Sequence, residues 1–316
     1  MVKGKVLFID TTHPKLPLLL ELAGFEVEHF YSNDIETLKQ MASGYCGFII
    51  RSKFRMDEEI LRHATNLKFI GRVGAGMENI DLEKAEKLGI KCFNAPEGNR
   101  DAVAEQAIAM LLTLFNNLLR ADSEVRQGVW KREENRGIEL GGKTIGIIGY
   151  GNTGNAFAHK LSGFGLDILA YDKYKSGFSN EFVREAELEE VFDRADIVSF
   201  HLPLTDETRF MANADFFDSF EKDIFVINTS RGEVLRTADL IEGLEKGKIR
   251  GACLDVLEYE GLSFENIDKD QLPGDFLKLI ERQDVVLSPH IAGWTQESNI
   301  KLSTVLAEKI IGWWDS

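Results

Sequence analysis

A glycine-rich turn formed by Gly149, Gly151 and Gly154 carries the clearest chemical signal in this sequence of 316 residues. It follows an apolar, β-branched run at 144–148, which predicts a buried parallel strand, and it precedes a helical segment. The first glycine permits a tight turn, the second lets the backbone approach a pyrophosphate, and the third lets the helix pack close to the strand. The turn therefore predicts a phosphate-binding loop for a dinucleotide.

Residues around this turn refine the prediction. Asn152 and Thr153 lie between the glycines, where N–H groups at the start of the helix bind phosphate oxygens. Asp172 follows the next predicted strand, and a carboxylate there accepts hydrogen bonds from a ribose diol and repels a 2′-phosphate. The sequence therefore favours NAD over NADP, although Lys173 and Lys175 soften this preference.

Polar and ionisable residues also follow four other apolar runs, whose carboxyl ends are where sheets of this kind bind ligands. They are His201 and Pro203 after 197–200, Thr229 and Arg231 after 224–228, Asp255 after 250–254, and His290 after 285–287. We expect these groups beside a bound nicotinamide. For His201, lining of this site and a role in capping a strand are both open.

Two loops in the first hundred residues offer groups that bind anions. Arg51 and Lys53 follow the third predicted strand, and they are either ligands of an anion or solvated surface charges. Arg72 opens the glycine-rich loop after the fourth strand. In that loop the backbone N–H groups of Ala75 and Gly76 either form a nest for a carboxylate or phosphate, or belong to a simple turn.

Composition restricts the class of partner. The chain has 37 Lys and Arg against 52 Asp and Glu, which gives a net charge of −15. This balance argues against nucleic acid or an anionic membrane as a partner, and an anionic substrate would need a local basic pocket. With 44% hydrophobic and 28% charged residues the chain is typical of globular proteins, and its length predicts two domains.

The three cysteines and the apolar runs indicate a compartment. Cys46, Cys92 and Cys253 lie in apolar segments without CxxC spacing, which predicts buried thiols in a reducing environment and no metal cluster. The chain begins with a predicted strand and not with a signal peptide, and its longest apolar stretch, 108–115, is too short to span a bilayer. We therefore expect a cytoplasmic protein.

Short apolar runs alternate with helical patterns along the chain, which predicts an α/β protein with doubly wound parallel sheets. A long apolar helix at 101–120 is expected to be buried in a core or against a second subunit. An extended linker at 122–142 follows it, and a last helix occupies 295–314. In the first hundred residues the predicted strands are 5–10, 26–30, 47–50, 68–72 and 90–93, and the predicted helices are 17–23, 35–41, 57–64 and 81–88.

Several motifs, distributed over nearly the whole length, connect the chain with a known family. They are Gly71-Arg-Val-Gly-Ala-Gly-Met-Glu-Asn-Ile-Asp81, Asn94-Ala-Pro96, Val103-Ala-Glu105, the glycine-rich turn, His201-Leu-Pro203, Asn228-Thr-Ser-Arg-Gly232, Leu254-Asp-Val256 and Ser288-Pro-His-Ile-Ala-Gly293. With them the chain resembles the D-isomer-specific 2-hydroxyacid dehydrogenases, which include phosphoglycerate dehydrogenases and hydroxypyruvate/glyoxylate reductases.

The resemblance implies an architecture. It implies two doubly wound parallel-sheet domains, Rossmann-like or flavodoxin-like, with a cleft between them. The substrate domain would be discontinuous, comprising 1–98 and 289–316, and the NAD-binding domain would comprise 99–288. The helix at 101–120 would build the interface of a homodimer.

The resemblance also implies a catalytic triad of Arg231, Glu260 and His290. Arg231 would hold the substrate carboxylate through a planar pair of hydrogen bonds, and His290 would exchange the hydroxyl proton. Glu260 would orient the imidazole and stabilise its charged form. The family usually has proline after this glutamate, where this chain has glycine, so Glu258 competes for the role. Asp255 would orient the nicotinamide carboxamide.

These roles predict an NAD-dependent D-2-hydroxyacid dehydrogenase of the phosphoglycerate dehydrogenase type, acting in serine biosynthesis. The basic residues Arg51, Lys53 and Arg72 would receive the phosphate. A hydroxypyruvate or glyoxylate reductase is the alternative within the enzyme class, and a dinucleotide-sensing protein like the family's corepressors is the alternative outside it. Formate dehydrogenase is disfavoured because that relative pairs its histidine with glutamine.

Overall fold

The computed structural model describes residues 2–260 and 273–316, and the chain divides into two compact units. Unit 1 comprises Met1–Arg100 and Trp294–Ser316, and unit 2 comprises Asp101–Gly293. The second junction lies later than the predicted one after residue 288. The reason is that residues 290–292 hydrogen-bond to Asp255, which keeps them in unit 2.

Unit 1 is built on a sheet of five parallel strands in the order β2-β1-β3-β4-β5. All five were predicted, with ends that differ by at most two residues, because a buried parallel strand reads as a continuous apolar run. The strands are β1 (Gly4–Phe8), β2 (Phe25–His29), β3 (Gly47–Ile50), β4 (Phe69–Arg72) and β5 (Lys91–Phe93).

Helices cover both faces of this sheet because successive strand side chains point to opposite sides. Val6 and Phe8 pack against α1 (Lys15–Leu22) and α12 (Gln296–Trp314). On the opposite face of the sheet, Leu7 and alternate residues of the neighbouring strands pack against the other helices of the unit. Those helices are α2 (Ile35–Met41), α3 (Glu58–Leu61) and α4 (Leu82–Lys87).

Unit 2 contains a sheet of seven parallel strands in the order β12-β11-β10-β9-β6-β7-β8. The strand order reverses between β6 and β9, so the carboxyl end of β6 lies at the switch point where such sheets bind ligands. The strands are β6 (Thr144–Ile148), β7 (Asp167–Tyr171), β8 (Val183–Glu185), β9 (Ile197–Phe200), β10 (Ile224–Asn228), β11 (Ile249–Leu254) and β12 (Val285–Leu287).

The helices on this second sheet correct one prediction. In place of one helix at 101–120, the chain forms α5 (Pro96–Phe115) and α6 (Leu118–Arg126), so part of the predicted linker at 122–142 is helical. Proline suits the first turn of a helix, and Asn117 breaks the helix because it adopts the left-handed conformation with φ 51°. The remaining helices are α7 (Asn152–Leu161), α8 (Leu188–Arg194), α9 (Ala214–Asp218), α10 (Thr237–Lys246) and α11 (Gly274–Ile280).

Three general properties of the described residues bear on function. No single helix among them is long and apolar enough to span a bilayer, and α5 with α6 meets the length and composition criterion only as a pair bent by 61°. In residues 2–260 and 273–316 no group of three His, Cys, Asp or Glu side chains could hold a metal ion. All three cysteines are free thiols, and burial raises the pKa of Cys46 and Cys92 to about 11.

Candidate active site

The glycine-rich turn after β6 leaves room for a ligand at the start of α7. Gly149 has φ 94°, and a Cβ there would lie 2.5 Å from the carbonyl oxygen of His201. A Cβ on Gly154 would lie 2.1 Å from the carbonyl oxygen of Gly149, so both positions require glycine. Gly151 is the N-cap of α7 without a capping side chain, and a Cβ there would meet no atom within 4 Å. The open backbone at a helix N-terminus fits a pyrophosphate.

Asp172 holds this turn together. Its carboxylate accepts hydrogen bonds from the backbone N–H groups of Tyr150 at 2.8 Å and Tyr174 at 3.0 Å, and it stays partly exposed. The remaining lone pairs are the acceptors that we predict for a ribose diol. Lys173 forms an ion pair with a surface glutamate, and Lys175 donates to the carbonyl of Tyr150 at 3.2 Å.

The first turn of α7 and the end of β10 hold three more of the predicted cofactor ligands. Asn152 and Thr153 begin α7, directly after Gly151. Thr229 is 8% exposed, and its hydroxyl has no hydrogen-bond partner among the described residues. An orphaned buried hydroxyl at a strand end is what a bound cofactor would satisfy. Pro203 lies on the surface after β9.

His201 is enclosed in the core of unit 2. Its Nε2 lies 2.9 Å from the Ser199 hydroxyl, and its ring packs 5.0 Å from the ring of Phe157. Burial lowers the pKa of His201 to about 3, so the imidazole is neutral. The carbonyl oxygen of His201 lies against the glycine-rich turn, and the buried Nδ1 of its ring has no hydrogen-bond partner among the described residues. Of the two alternatives that the sequence left open, this burial favours the structural one.

The loop after β10 presents Arg231. The buried Asn228 accepts from the N–H and hydroxyl groups of Ser230 at 3.1 and 2.8 Å, and it donates to the carbonyl of Arg231 at 2.9 Å. A Cβ on Gly232 would lie 2.0 Å from the carbonyl group of Leu257, so this loop packs directly on the segment that leads to Glu260. Arg231 therefore lies on a rigid loop, half-buried.

His290 and Glu260 form the pair that could move a proton. Nδ1 of His290 lies 2.6 Å from a carboxylate oxygen of Glu260, and the two side chains are 24% and 14% exposed. The other oxygen of Glu260 accepts from the N–H of Leu257 at 2.5 Å. Glu258, the competing carboxylate, instead accepts from the N–H of Thr237 at 2.6 Å, at the start of α10. The structure thus puts Glu260 against the imidazole.

Asp255 holds the His290 loop in place. Its carboxylate is 1% exposed and accepts from the Ser288 hydroxyl at 2.6 Å and from the N–H groups of Ile291 and Ala292 at 2.9 and 2.8 Å. The His290 N–H donates to the Asp255 carbonyl at 2.7 Å, and His290 adopts φ 54°, which is rare outside glycine. These bonds make Asp255 a positioning residue for the His290 loop, and its contact with a nicotinamide carboxamide stays a prediction.

In unit 1 the predicted cations Arg51 and Lys53 have different environments. The guanidinium of Arg51 lies over the ring of Trp294 at 4.4 Å. The ammonium of Lys53 donates to the carbonyl oxygens of Ile9 at 2.9 Å and Tyr31 at 3.1 Å. Lys53 therefore fastens its own loop to the ends of β1 and β2, and its role as a ligand of a substrate anion stays a prediction.

The glycine-rich loop after β4 is held from both sides. The guanidinium of Arg72 lies so close to Gly74 that a Cβ there would be 1.5 Å from it. The Asn94 amide donates to the carbonyl of Ala75 at 2.5 Å. Ala75 and Gly76 are half-buried, and their role as an anion nest stays a prediction.

Sequence reasoning missed the roles of two residues that shape these loops, Asn228 and Ser288, and for Trp294 it left open whether the side chain walls the substrate pocket or packs beneath it. Asn228 and Ser288 stand where a buried strand ends, and a polar residue at such a position is a detectable signal of a side chain that organises the next loop. Trp294 is 66% exposed apart from its contact with Arg51. No local sequence pattern links Arg51 with Trp294, because the two residues lie far apart in the chain.

Comparison with known sequences identifies relatives of this chain. Residues 108–292 match the family model described as D-isomer specific 2-hydroxyacid dehydrogenase, NAD binding domain. The chain is 34% identical to the D-3-phosphoglycerate dehydrogenase of Archaeoglobus fulgidus, over 91% of this chain and 53% of that protein. It is also 34% identical to the hydroxypyruvate reductase of Thermotoga maritima, over 83% of this chain and 82% of that protein. The chain thus spans about half the length of the first of these relatives.

Solved structures agree with the sequence comparisons. The D-lactate dehydrogenase of Aquifex aeolicus, determined with NAD and lactic acid, superposes with a TM-score of 0.83 at 28% identity, over 98% of this chain and 95% of that one. Both parallel sheets are therefore those of a known fold, and the predicted α/β class is confirmed. The prediction of NAD as cofactor is confirmed as well, because the matching family model is that of an NAD-binding domain.

Proposed function

Because this chain belongs to the D-isomer-specific 2-hydroxyacid dehydrogenase family, we propose that it is an NAD-dependent enzyme that interconverts D-2-hydroxy acids and 2-keto acids. The observation that carries the proposal is the pair of His290 and Glu260, in which Nδ1 lies 2.6 Å from a carboxylate oxygen. Hydrogen bonds to Asp255 hold the loop of His290 in place. A histidine oriented by a carboxylate is the usual device for general acid–base catalysis near neutral pH.

We propose that the proton path runs through His290. Nδ1 of His290 faces Glu260, so Nε2 is the nitrogen that we assign to the substrate hydroxyl. It takes the hydroxyl proton during oxidation and returns a proton to the carbonyl oxygen during reduction. The negative carboxylate of Glu260 stabilises the imidazolium that forms, and Asp255 keeps the ring in place through the backbone of its loop.

Arg231 is proposed to bind the substrate carboxylate. Its planar guanidinium makes two parallel hydrogen bonds to a carboxylate, which a lysine cannot reproduce. The loop after β10, fixed by Asn228, sets where that guanidinium lies. NAD, when bound, supplies the hydride chemistry, and Gly151, Thr229 and the start of α7 are the groups that would hold it.

For the substrate we propose 3-phosphoglycerate and its keto acid, with Arg51 as the ligand of the distal phosphate. The stacking of Arg51 on Trp294 at 4.4 Å would pre-orient the guanidinium and lower the entropy lost on binding. The commitment of Lys53 to two carbonyl groups favours the second candidate, a hydroxypyruvate or glyoxylate reductase, which needs no second anion site.

A kinetic comparison separates these candidates. NADH oxidation is followed with 3-phosphohydroxypyruvate, hydroxypyruvate and glyoxylate, and repeated with NADPH. For a phosphoglycerate dehydrogenase we expect Arg51→Gln to raise KM for the phosphorylated substrate about tenfold or more, and to leave glyoxylate unaffected. Arg55→Gln, which removes an exposed cation from the same loop, is the control. Equal effects on all substrates would contradict the phosphate role, and cofactor binding without turnover of any keto acid would contradict the enzyme.

A homodimer in the cytoplasm is part of the proposal. Leu118, Leu119 and Val125 of α6 are between 51% and 62% exposed, and Trp130 after it is 78% exposed, which is an unusual apolar surface for a monomer. The three free thiols suit a reducing compartment. Sedimentation of the wild type and of Leu119→Asp tests the dimer, and a wild type that sediments as a monomer would contradict it.

A further inference from the structure

A cavity lies in unit 2, at the edge of the sheet opposite to the phosphate-binding turn. Its volume is about 500 Å³. It opens where β10, β11 and β12 begin, whereas the glycine-rich turn and His290 follow strand carboxyl ends. Its lining includes Leu114, Arg120, Arg136, Ile138, Arg250 and Arg282.

The cavity concentrates positive charge in a chain whose net charge is −15. Four of the lining residues are arginines, which come from four separate segments of the chain, and Asp284 is the one carboxylate among the lining residues. Arg136 pairs with Glu133 at 2.6 Å and Arg282 pairs with Asp284, whereas Arg120 and Arg250 have no carboxylate partner among the described residues. Such neighbouring like charges are unfavourable unless an anion compensates them. The distribution of charge therefore points to an anionic ligand.

The arginines keep donors for such a ligand. The side chain of Arg250 makes no hydrogen bond or ion pair among the described residues, and its guanidinium lies over the ring of Phe225 at 4.9 Å. Arg282 uses Nε and one terminal nitrogen for Asp284, at 2.8 and 2.6 Å, which leaves its second terminal nitrogen. Arg120 bonds only neutral oxygens, those of Asn135 and of a backbone carbonyl, so its charge is uncompensated there.

We propose that this cavity is a binding site for a small organic phosphate. A single carboxylate is satisfied by one planar guanidinium, whereas a tetrahedral dianion accepts hydrogen bonds from several directions, as Arg120, Arg250 and Arg282 offer them. The walls formed by Leu114 and Ile138 provide apolar surface for the organic part.

The site is separate from the cofactor site but mechanically close to it. The strand β11 leads from Arg250 to Asp255, and β12 leads from Asp284 to the loop of His290. Five steps along β11 correspond to about 17 Å. The two sites are therefore too far apart to share one phosphate, and the ligand must bind in the presence of NADH.

The test is a calorimetric titration of the full chain, saturated with NADH, with phenyl phosphate as the probe and benzoate as its carboxylate counterpart. We expect phenyl phosphate to bind more tightly than benzoate. Arg250→Gln should weaken phenyl phosphate at least about tenfold, which corresponds to about 1.4 kcal/mol. Gln283→Trp, which fills the cavity from an exposed position without removing a charge, should weaken it as well.

Two controls locate the binding. Arg126→Gln removes an exposed arginine of α6 that does not line the cavity, and it should not change the affinity. Arg51→Gln removes the proposed ligand of the substrate phosphate, so the phenyl phosphate that this variant still binds belongs to the cavity. The proposal is overturned if the wild type does not bind phenyl phosphate, if Arg250→Gln binds it unchanged, or if Arg51→Gln abolishes binding. A change in sedimentation of Arg250→Gln would also overturn it, because the arginines would then belong to a contact between copies of the chain.

Discussion

His201 and His290 each follow a parallel strand of the same seven-stranded sheet, yet their surroundings differ in every respect that matters for chemistry. The ring of His201 is enclosed, lies beside a serine hydroxyl and has its pKa lowered by burial to about 3. The ring of His290 is partly exposed and faces the carboxylate of Glu260. A histidine at a strand end thus becomes a structural or a proton-transferring group according to its partner and its access to solvent.

The position of the two strands in the sheet explains the difference. The strand β9 lies in the centre of the sheet, beside β6, so the residue after it is covered by Phe157 of α7. The strand β12 lies at the edge, and the loop after it is held from one side by Asp255.

The largest effect is expected for His290→Gln. Loss of the proton acceptor should lower kcat by about 10²- to 10⁴-fold, because this is the usual contribution of general acid–base catalysis. His201→Gln should change kcat by no more than a few-fold in protein that is still folded at the assay pH. Steady-state kinetics with NADH and the best keto acid measures both, and similar losses in the two variants would erase the distinction.

The next effect concerns the two neighbouring carboxylates. Glu260→Gln should lower kcat about 10- to 100-fold, since it removes the charge that stabilises the imidazolium. Glu258→Gln should leave kcat near that of the wild type and reduce the free energy of unfolding by roughly 0.5–1 kcal/mol, since its carboxylate interacts with the start of α10. A larger loss of activity in Glu258→Gln would mean that the pairing is wrong.

The third experiment uses pH. The folded state keeps His201 neutral down to about pH 3, whereas the unfolded chain binds the proton below about pH 6.5. The stability that this histidine contributes above pH 6.5 is therefore lost as the pH falls, by about 1.4 kcal/mol per pH unit. Between pH 7 and pH 5 the wild type should lose about 2 kcal/mol more than His201→Gln in urea unfolding.

A control for the pH experiment is His159→Gln, which removes an exposed histidine of α7. It should show the same pH dependence as the wild type. If His201→Gln does so too, the imidazole is accessible to protons in the folded state.

The smallest effects are expected for two hydroxyl groups, one beside each histidine. Ser199→Ala removes the contact with His201 and should cost about 1 kcal/mol of stability without a change in kcat. Ser288→Ala removes a hydrogen bond to Asp255 and should lower kcat a few-fold by loosening the His290 loop. Urea unfolding and steady-state kinetics measure both variants. A loss of kcat in Ser199→Ala together with an unchanged kcat in Ser288→Ala would contradict these roles.

The elements that were predicted correctly have local causes. The strands β3, β6, β9 and β10 are short, continuous apolar runs whose ends agree with the sequence prediction. The break in the long helix was not predicted, because the apolar pattern continues across Asn117 and the left-handed conformation of one residue leaves no periodic trace. The side-chain contacts of Lys53 were missed for a related reason, since a charged residue in a loop looks the same whether it is solvated or bound to carbonyl groups.

The glycine-rich turn, the parallel strands and the family motifs could all be read from the chain, because glycine, β-branched residues and short spacings act within a few positions. The choice of Glu260 over Glu258, the burial of His201 and the stacking of Arg51 on Trp294 needed the folded molecule. Some of these contacts join residues that lie far apart in the chain, such as His290 and Glu260, which are 30 positions apart. Their geometry depends on packing and burial, which the spacing of residues in the sequence does not reveal.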